Sequence, residues 1–256
     1  MKTVLVTGAT GFIGRFLILA LLRKGDRVFA LLRQPESQLA DLKKWLQGYD
    51  VNTDHLQAVH GDFREPHSGI SGTDWQRMAE VTVVYHSGAL FAWGLANDEA
   101  RLVNVQGAVT LLTTATQHLQ LKRFVQVSGY MLTMKAHLQQ LGISDEDMND
   151  HGAKINWDAI YQHVGAYEAS KLEAHFAIKR TALRLNVPLT VIHPATVIGD
   201  SDRGEIPSNQ EFNRTLTDLS KGKLFAVPGC DGYRLPLVRI DYLTQFMAHV
   251  TDYPET

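Results

Sequence analysis

The chain of 256 residues has one cysteine, Cys230, and so no internal disulfide. That fits a reducing compartment, and Cys230 reads as a small buried apolar residue. No large excess of charge of either sign is present: 25 Lys and Arg stand against 27 Asp and Glu, a formal net charge of −2. The basic residues are scattered, with no stripe interleaved with aromatics, which argues against a nucleic-acid partner. Long hydrophobic runs are missing too. The longest, Phe16 to Leu22, is far short of the ~20 residues that cross a bilayer, so no membrane association is expected. At the N-terminus, Lys2 is followed only by Val4-Leu5-Val6 before Gly8 interrupts the run, which is not a signal peptide. These absences lead to the expectation of a cytoplasmic globular protein.

What is present is an alternation. Apolar, β-branched runs at Thr3–Thr7, Arg27–Leu32, Leu56–His60, Val81–His86, Arg123–Ser128 and Leu189–His193 are separated by helical patterns. Strands apolar nearly throughout belong to a sheet covered on both faces, so the expected fold class is α/β, a Rossmann-like doubly wound parallel sheet. The first helix should open near Gly11 and stop at Gly25, where glycine takes a left-handed cap. Longer helices are expected from about Asp98 to His118 and from about Tyr167 to Leu185. The organisation expected is a dinucleotide-binding domain over 1–193 and a small irregular substrate-binding region over 194–256, which contains Pro194, Pro207, Pro228 and Pro236. Its end at Asp252-Tyr253-Pro254-Glu255-Thr256 reads as mid-linker, a region cut short.

Residues 135–165 form a long connection within the first domain and carry Asp145-Glu146-Asp147 and Asn149-Asp150. A calcium loop fails there: the position that needs glycine is Asp150, and the position that needs glutamate is Asn156. A solvated helix start explains the acidic run.

The strongest local signal is Thr7-Gly8-Ala9-Thr10-Gly11-Phe12-Ile13-Gly14. It follows a strand and opens a helix. The first glycine allows a tight turn, the second lets backbone approach a pyrophosphate, and the third lets helix and strand pack closely. Gly8, Thr10, Gly11, Phe12 and Ile13 are therefore candidate cofactor-binding residues. A P-loop is excluded, because Gly14 is followed by Arg15-Phe16. Where sites for NAD carry an acidic residue at the end of the second strand, this chain has Arg33. A guanidinium there favours the 2′-phosphate of NADP(H), with Arg15 as a second positive charge.

Tyr167-Glu168-Ala169-Ser170-Lys171 opens the later helix. The i,i+4 spacing puts phenol and ammonium on one face. A free tyrosine titrates too high to exchange protons easily at neutral pH, and a neighbouring ammonium is expected to lower it.

With these motifs in place, the chain resembles the extended short-chain dehydrogenase/reductase family over essentially its whole length. The resemblance is carried by the glycine turn, Gly61-Asp62, the strand ending Val84-Tyr85-His86, Asn104-Val105-Gln106-Gly107, the Tyr167–Lys171 motif and His193-Pro194-Ala195-Thr196-Val197-Ile198-Gly199. The runs from His193 to Glu205 and from Leu235 to Leu243 resemble the thioester reductase and fatty acyl-CoA reductase branch. The resemblance implies that Asp62 contacts adenine and Phe63 flanks it, and that Asn104 supports the active-site backbone. It also implies that Pro194 to Val197, with Pro194 and Val197 as cofactor-binding positions, lie near the nicotinamide. The activity implied is NADPH-dependent reduction of a carbonyl or acyl thioester of a small-molecule substrate by hydride transfer. Tyr167 would be the proton donor, Lys171 would lower its pKa and hold the nicotinamide ribose, and a homodimer would be possible.

Two features depart from the family pattern. The third catalytic hydroxyl normally follows a serine that closes the fifth strand; here the run reads Val127-Ser128-Gly129-Tyr130, with glycine in that slot. Ser128 is retained as a candidate catalytic hydroxyl. The other departure is the chain end at Thr256, short of the helices that family members add over the substrate. The alternatives are an NADP(H)-binding sensor or scaffold with little turnover, or an NAD-dependent sugar-nucleotide epimerase or dehydratase, against which Arg33 argues.

Overall fold

The computed structural model describes every residue except 92–93, 153, 208–209, 225–231, 233 and 254–256; Cys230 lies outside the described residues. In chain order the elements are β1 (Thr3–Thr7), α1 (Phe12–Arg23), β2 (Arg27–Leu32), α2 (Pro35–Gln47), β3 (Leu56–His60), α3 (Gly72–Arg77) and β4 (Val83–His86). Next come α4 (Asn97–Ala100), a π-helical turn (Arg101–Gln106), α5 (Gly107–His118) and β5 (Arg123–Val127). The second half holds α6 (Lys135–Gln140), α7 (Asp145–Asn149), α8 (Trp157–Val164), α9 (Ala166–Leu185), β6 (Leu189–Ile192), β7 (Thr196–Ile198), α10 (Glu211–Ser220), β8 (Leu237–Arg239) and α11 (Ile240–Val250).

Six strands form one parallel sheet in the order β3-β2-β1-β4-β5-β6, and β7 pairs with β8 in a separate parallel ribbon. The strand order reverses between β1 and β4, and ligands of such sheets bind in the crevice at the strand C-termini there. Alternate residues serve opposite faces. Val4 and Val6 of β1, with Val28, Ala30 and Leu32 of β2, pack on α1 and α11, whereas Leu5, Phe29 and Leu31 pack on α5.

Local chemistry sets the boundaries. Gly25, at φ +85°, ends α1 as expected, with its N–H and that of Asp26 closing onto Leu22 and Leu21 carbonyls. The acidic run opens α7: Ser144 accepts from the Asp147 N–H while Asp147 accepts from the Ser144 N–H. The long connection over 135–165 is not structureless, since α6, α7 and α8 fold back onto α9. Leu138, Ile143, Ile160 and Tyr161 form a cluster there with Leu172 and Phe176. Among the described residues no helix is long and apolar enough to cross a membrane.

Candidate functional site

The β1–α1 turn is as tight as the glycines require. Gly8 sits at φ +67°, and a Cβ on it would come within 2.7 Å of the Gly88 nitrogen, at the exit of β4. A Cβ on Gly14 would lie 2.0 Å from the Gly8 carbonyl oxygen. The N-cap of α1 is Gly11, which has no side chain to satisfy the first-turn N–H groups. The helix therefore presents free donors and the positive end of its dipole to the cleft beside it. This is a backbone cradle that fits a pyrophosphate.

Gly8, Thr10, Gly11, Arg33, Asp62 and Phe63 line that cleft, together with Gln38, Arg64 and the segment Ser87–Leu90. Arg33 is exposed at the end of β2 and has no carboxylate partner among the described residues. Asp62 accepts from the Arg64 N–H at 2.9 Å, and the Arg64 guanidinium reaches Glu99 at 2.8 Å. Phe63 packs edge-on against His86, with ring centroids 5.1 Å apart.

Phe12 and Ile13 lie behind the turn rather than along the cleft, half-buried against the core on one face of the sheet. Arg15 is not a second cation for the cofactor. It pairs with Glu205 at 2.6 Å and lies over the Trp45 ring, so its charge is already engaged on the outer side of α1. Pro194 and Val197 also stand apart from this cleft. Pro194 lines a groove between the end of β6 and α11, and Val197 pairs with Val238 in the β7–β8 ribbon.

Tyr167 and Lys171 share the first turns of α9. Lys171 is 8% exposed, and its Nζ donates to the Val127 carbonyl at the end of β5, 3.1 Å away. Burial pushes this ammonium down to about 8. Burial also raises the Tyr167 phenol. The expected lowering of Tyr167 by Lys171 is therefore not what this arrangement produces. Desolvation of the phenol is the cause, and the ammonium is tied to the Val127 carbonyl. Phe91, 54% exposed, meets the Tyr167 ring edge-on at 4.5 Å.

Asn104 joins the two halves of the site. Its Oδ1 accepts from the Leu90 N–H at 2.6 Å, and its Nδ2 donates to the Leu90 carbonyl at 3.1 Å and to Ser170 Oγ at 2.9 Å. Ser170 Oγ in turn donates to the Tyr167 carbonyl at 2.8 Å. The wall of the dinucleotide cleft is thus tied to the helix that carries the phenol and the ammonium. Asn104 lies in the π-helical turn, a departure from α geometry often found at functional sites.

Ser128 is buried, and its N–H donates to the Ile192 carbonyl at 2.8 Å. Its hydroxyl makes no hydrogen bond among the described residues. The backbone at Gly129 is extended (φ −119°, ψ 148°) and its carbonyl lies 3.0 Å from His193 Nδ1. Sequence reasoning missed Ser170, Phe91 and Glu205. Only Ser170 had a signal available, since it sits inside the Tyr167–Lys171 motif.

Known proteins share this fold. The family described as "Male sterility protein" matches residues 6–247. The large subunit of L-2-aminoadipate reductase from Penicillium chrysogenum is 28% identical over 237 residues, covering 84% of this chain and 16% of that protein. The terminal R domain of the myxalamid PKS-NRPS biosynthetic pathway superposes with a TM-score of 0.78 at 26% identity, over 99% of this chain and 63% of that one. Gre2 from Candida albicans, solved in complex with NADPH, shares the fold with a TM-score of 0.72 at 22% identity, over 98% of this chain and 75% of that one. The chain spans about a sixth of the length of the aminoadipate reductase subunit.

Proposed function

The chain belongs to the male sterility protein family of extended short-chain dehydrogenase/reductases, and on that premise we propose that it is an NADPH-dependent reductase of a carbonyl or an acyl thioester. The observation that carries the proposal is the Asn104 clamp. It fixes Leu90, in the wall of the glycine-turn cleft, to the helix bearing Tyr167 and Lys171. A nucleotide cradle and a proton-transfer pair are then parts of one site. When bound there, the reduced nicotinamide supplies the hydride.

The chain supplies the rest. The Gly8–Gly11 backbone and the uncapped start of α1 receive the pyrophosphate, and Arg33 receives the 2′-phosphate. Asp62 and Phe63 flank the adenine, and Phe12 and Ile13 hold the turn from behind. Tyr167 gives its proton to the oxygen of the reacting carbonyl, and Lys171 orients the phenol and the ribose. Ser128 is the remaining hydroxyl candidate at the end of β5. Pro194 and Val197 begin the substrate side of the site, so residues 1–193 act as the cofactor domain and 194–256 as part of the substrate region. The setting proposed is the reducing cytoplasm, on the single cysteine.

A second reading, a cofactor-binding sensor with little turnover, draws on one observation: position 129 offers no hydroxyl. Following NADPH absorbance against a panel of aldehydes, ketones and acyl thioesters separates the two readings. In parallel, fluorescence titration should show NADPH binding about tenfold or more tighter than NADH, a preference that Arg33→Asp abolishes. Equal affinity for both cofactors in the unmodified protein would remove the assignment to NADP.

A further inference from the structure

Phe91 is more than half exposed, yet its ring meets that of Tyr167 edge-on, with centroids 4.5 Å apart and planes at 71°. The segment that carries it is pinned residue by residue. Ser87 Oγ donates to the Thr7 carbonyl at 2.7 Å, and the Gly88 N–H donates to Thr7 Oγ1 at 3.3 Å. At Leu90 the Asn104 amide engages both the N–H and the carbonyl. Phe91 therefore projects from fixed backbone rather than from a free loop.

Tyr167 has a use for that support. Its backbone carbonyl accepts from Ser170 Oγ, which is itself held by Asn104. Those bonds fix the main chain and leave the ring to its χ1 and χ2 torsions. Among the described residues, Phe91 supplies the one aromatic ring packed on it. The contacts close a circuit, from Asn104 through Leu90 and Phe91 to the Tyr167 ring, and back from the Tyr167 carbonyl through Ser170 to Asn104.

We propose that Phe91 is a positioning residue for the proton donor: packed on the Tyr167 ring, it fixes the direction of the phenol and keeps water off that flank. The inference rests on the reductase reading above. In that reaction the carbonyl carbon gains hydride from NADPH, the C=O π bond breaks, and the oxygen takes the Tyr167 proton. Phe91 exchanges nothing and acts only through Tyr167. Its effect comes from geometry, because a general acid works only within hydrogen-bond reach of the atom it protonates. Misplacing a catalytic group by ~1 Å costs ~10² in rate. An apolar ring also offers the phenol no hydrogen bond, so the proton is not drawn off before charge develops on the substrate oxygen. The aromatic pair prefers the edge-on arrangement over a stacked one, which sets the orientation of one ring by the other.

The test measures kcat, with NADPH and the carbonyl of the panel that turns over fastest, in the unmodified protein, Phe91→Ala, Phe91→Tyr, Tyr167→Phe and the double variant Phe91→Ala/Tyr167→Phe. Phe91→Ala should lower kcat by about tenfold or more while NADPH affinity stays within about twofold. Phe91→Tyr, which keeps the ring, should retain most of the rate. In the Tyr167→Phe background the phenol is already gone, so Phe91→Ala should cost little more, and the two losses should not be additive. A readout on the free protein is independent of turnover. With tyrosine labelled with carbon-13 at Cζ, the Tyr167 signal is assigned by its loss in Tyr167→Phe. Burial raises this phenol, so Phe91→Ala, which admits water, should bring its titration down toward the ordinary value of about 10. An unchanged kcat in Phe91→Ala, an equal loss in Phe91→Tyr, additive losses in the double variant, or an unmoved titration would each overturn the inference while leaving the reductase reading intact. If the unmodified protein binds NADPH and reduces no carbonyl of the panel, both the inference and the reductase reading fall.

Discussion

Replacing Asn104 by leucine tests the joint between the two halves of the site. The side chain is 3% exposed and makes three hydrogen bonds, at 2.6, 3.1 and 2.9 Å. Asn104→Leu keeps the volume and removes all three. Each is worth about 1 kcal/mol net, and a polar group left buried without a partner costs about 1–3 kcal/mol. Ser170 Oγ keeps its donation to Tyr167, and the half-buried Leu90 backbone regains some water, so the lower end applies. The total is about 3 kcal/mol. In a domain of this size each kcal/mol lowers Tm by about 2–4 °C, so calorimetry should record a drop of about 6–12 °C. Because Leu90 also lines the cleft, cofactor affinity should fall at temperatures where the variant remains folded. A Tm within about 2 °C of the unmodified protein would refute the reasoning, since bonds that cost so little to lose cannot be joining the two halves.

Two further outcomes follow from the proton-transfer pair. Tyr167→Phe should lower kcat by about 100-fold or more on any accepted carbonyl while leaving NADPH affinity nearly unchanged, because the phenol moves a proton and does not hold the cofactor; a retained rate would eliminate it as the acid. Lys171 should make stability rise with pH. Its folded value is about 8 against an ordinary 10.5, so between those limits the unfolded chain binds more protons. Relative to Lys171→Met, the unmodified protein should gain on the order of 2–3 kcal/mol across that window in denaturant titrations, with no contribution below it. A flat or falling difference would show that the ammonium is not buried.

Much of the fold was legible because its signals are local. β1, β2 and β3 occupy the residues expected, since each apolar run is bounded by turn-forming or polar residues. The fourth strand starts at Val83 rather than Val81, because the Val81 N–H closes the turn after α3 onto Met78. β5 ends at Val127, one residue early, although Ser128 still pairs with Ile192 through its N–H. The π-helical turn was not legible: Arg101-Leu102-Val103-Asn104-Val105-Gln106 reads as ordinary helix within the span expected from Asp98 to His118. Arg15 shows the main limit. Its charge was plain, but the partner that engages it, Glu205, lies far along the chain in a loop with no periodic signal. Phe91 is similar, because nothing in the residues around it says that its ring packs on Tyr167.

The disagreement over Tyr167 also bears on the direction of the chemistry. The spacing of Tyr167 and Lys171 is as a proton-transfer pair requires, yet both groups are displaced toward their uncharged forms by the same burial. A depressed phenol would favour phenolate, the base needed to oxidise an alcohol. A raised phenol instead keeps its proton at neutral pH, which is the form an acid must hold to reduce a carbonyl. The proton then leaves only as negative charge develops on the substrate oxygen. The lysine at about 8 complements this. It holds its proton less tightly than the raised phenol does, the order that a lysine recharging the phenol after proton transfer requires. A phenol that keeps its proton at neutral pH, beside a lysine that is still largely an ammonium there, suits the acid step of a reduction.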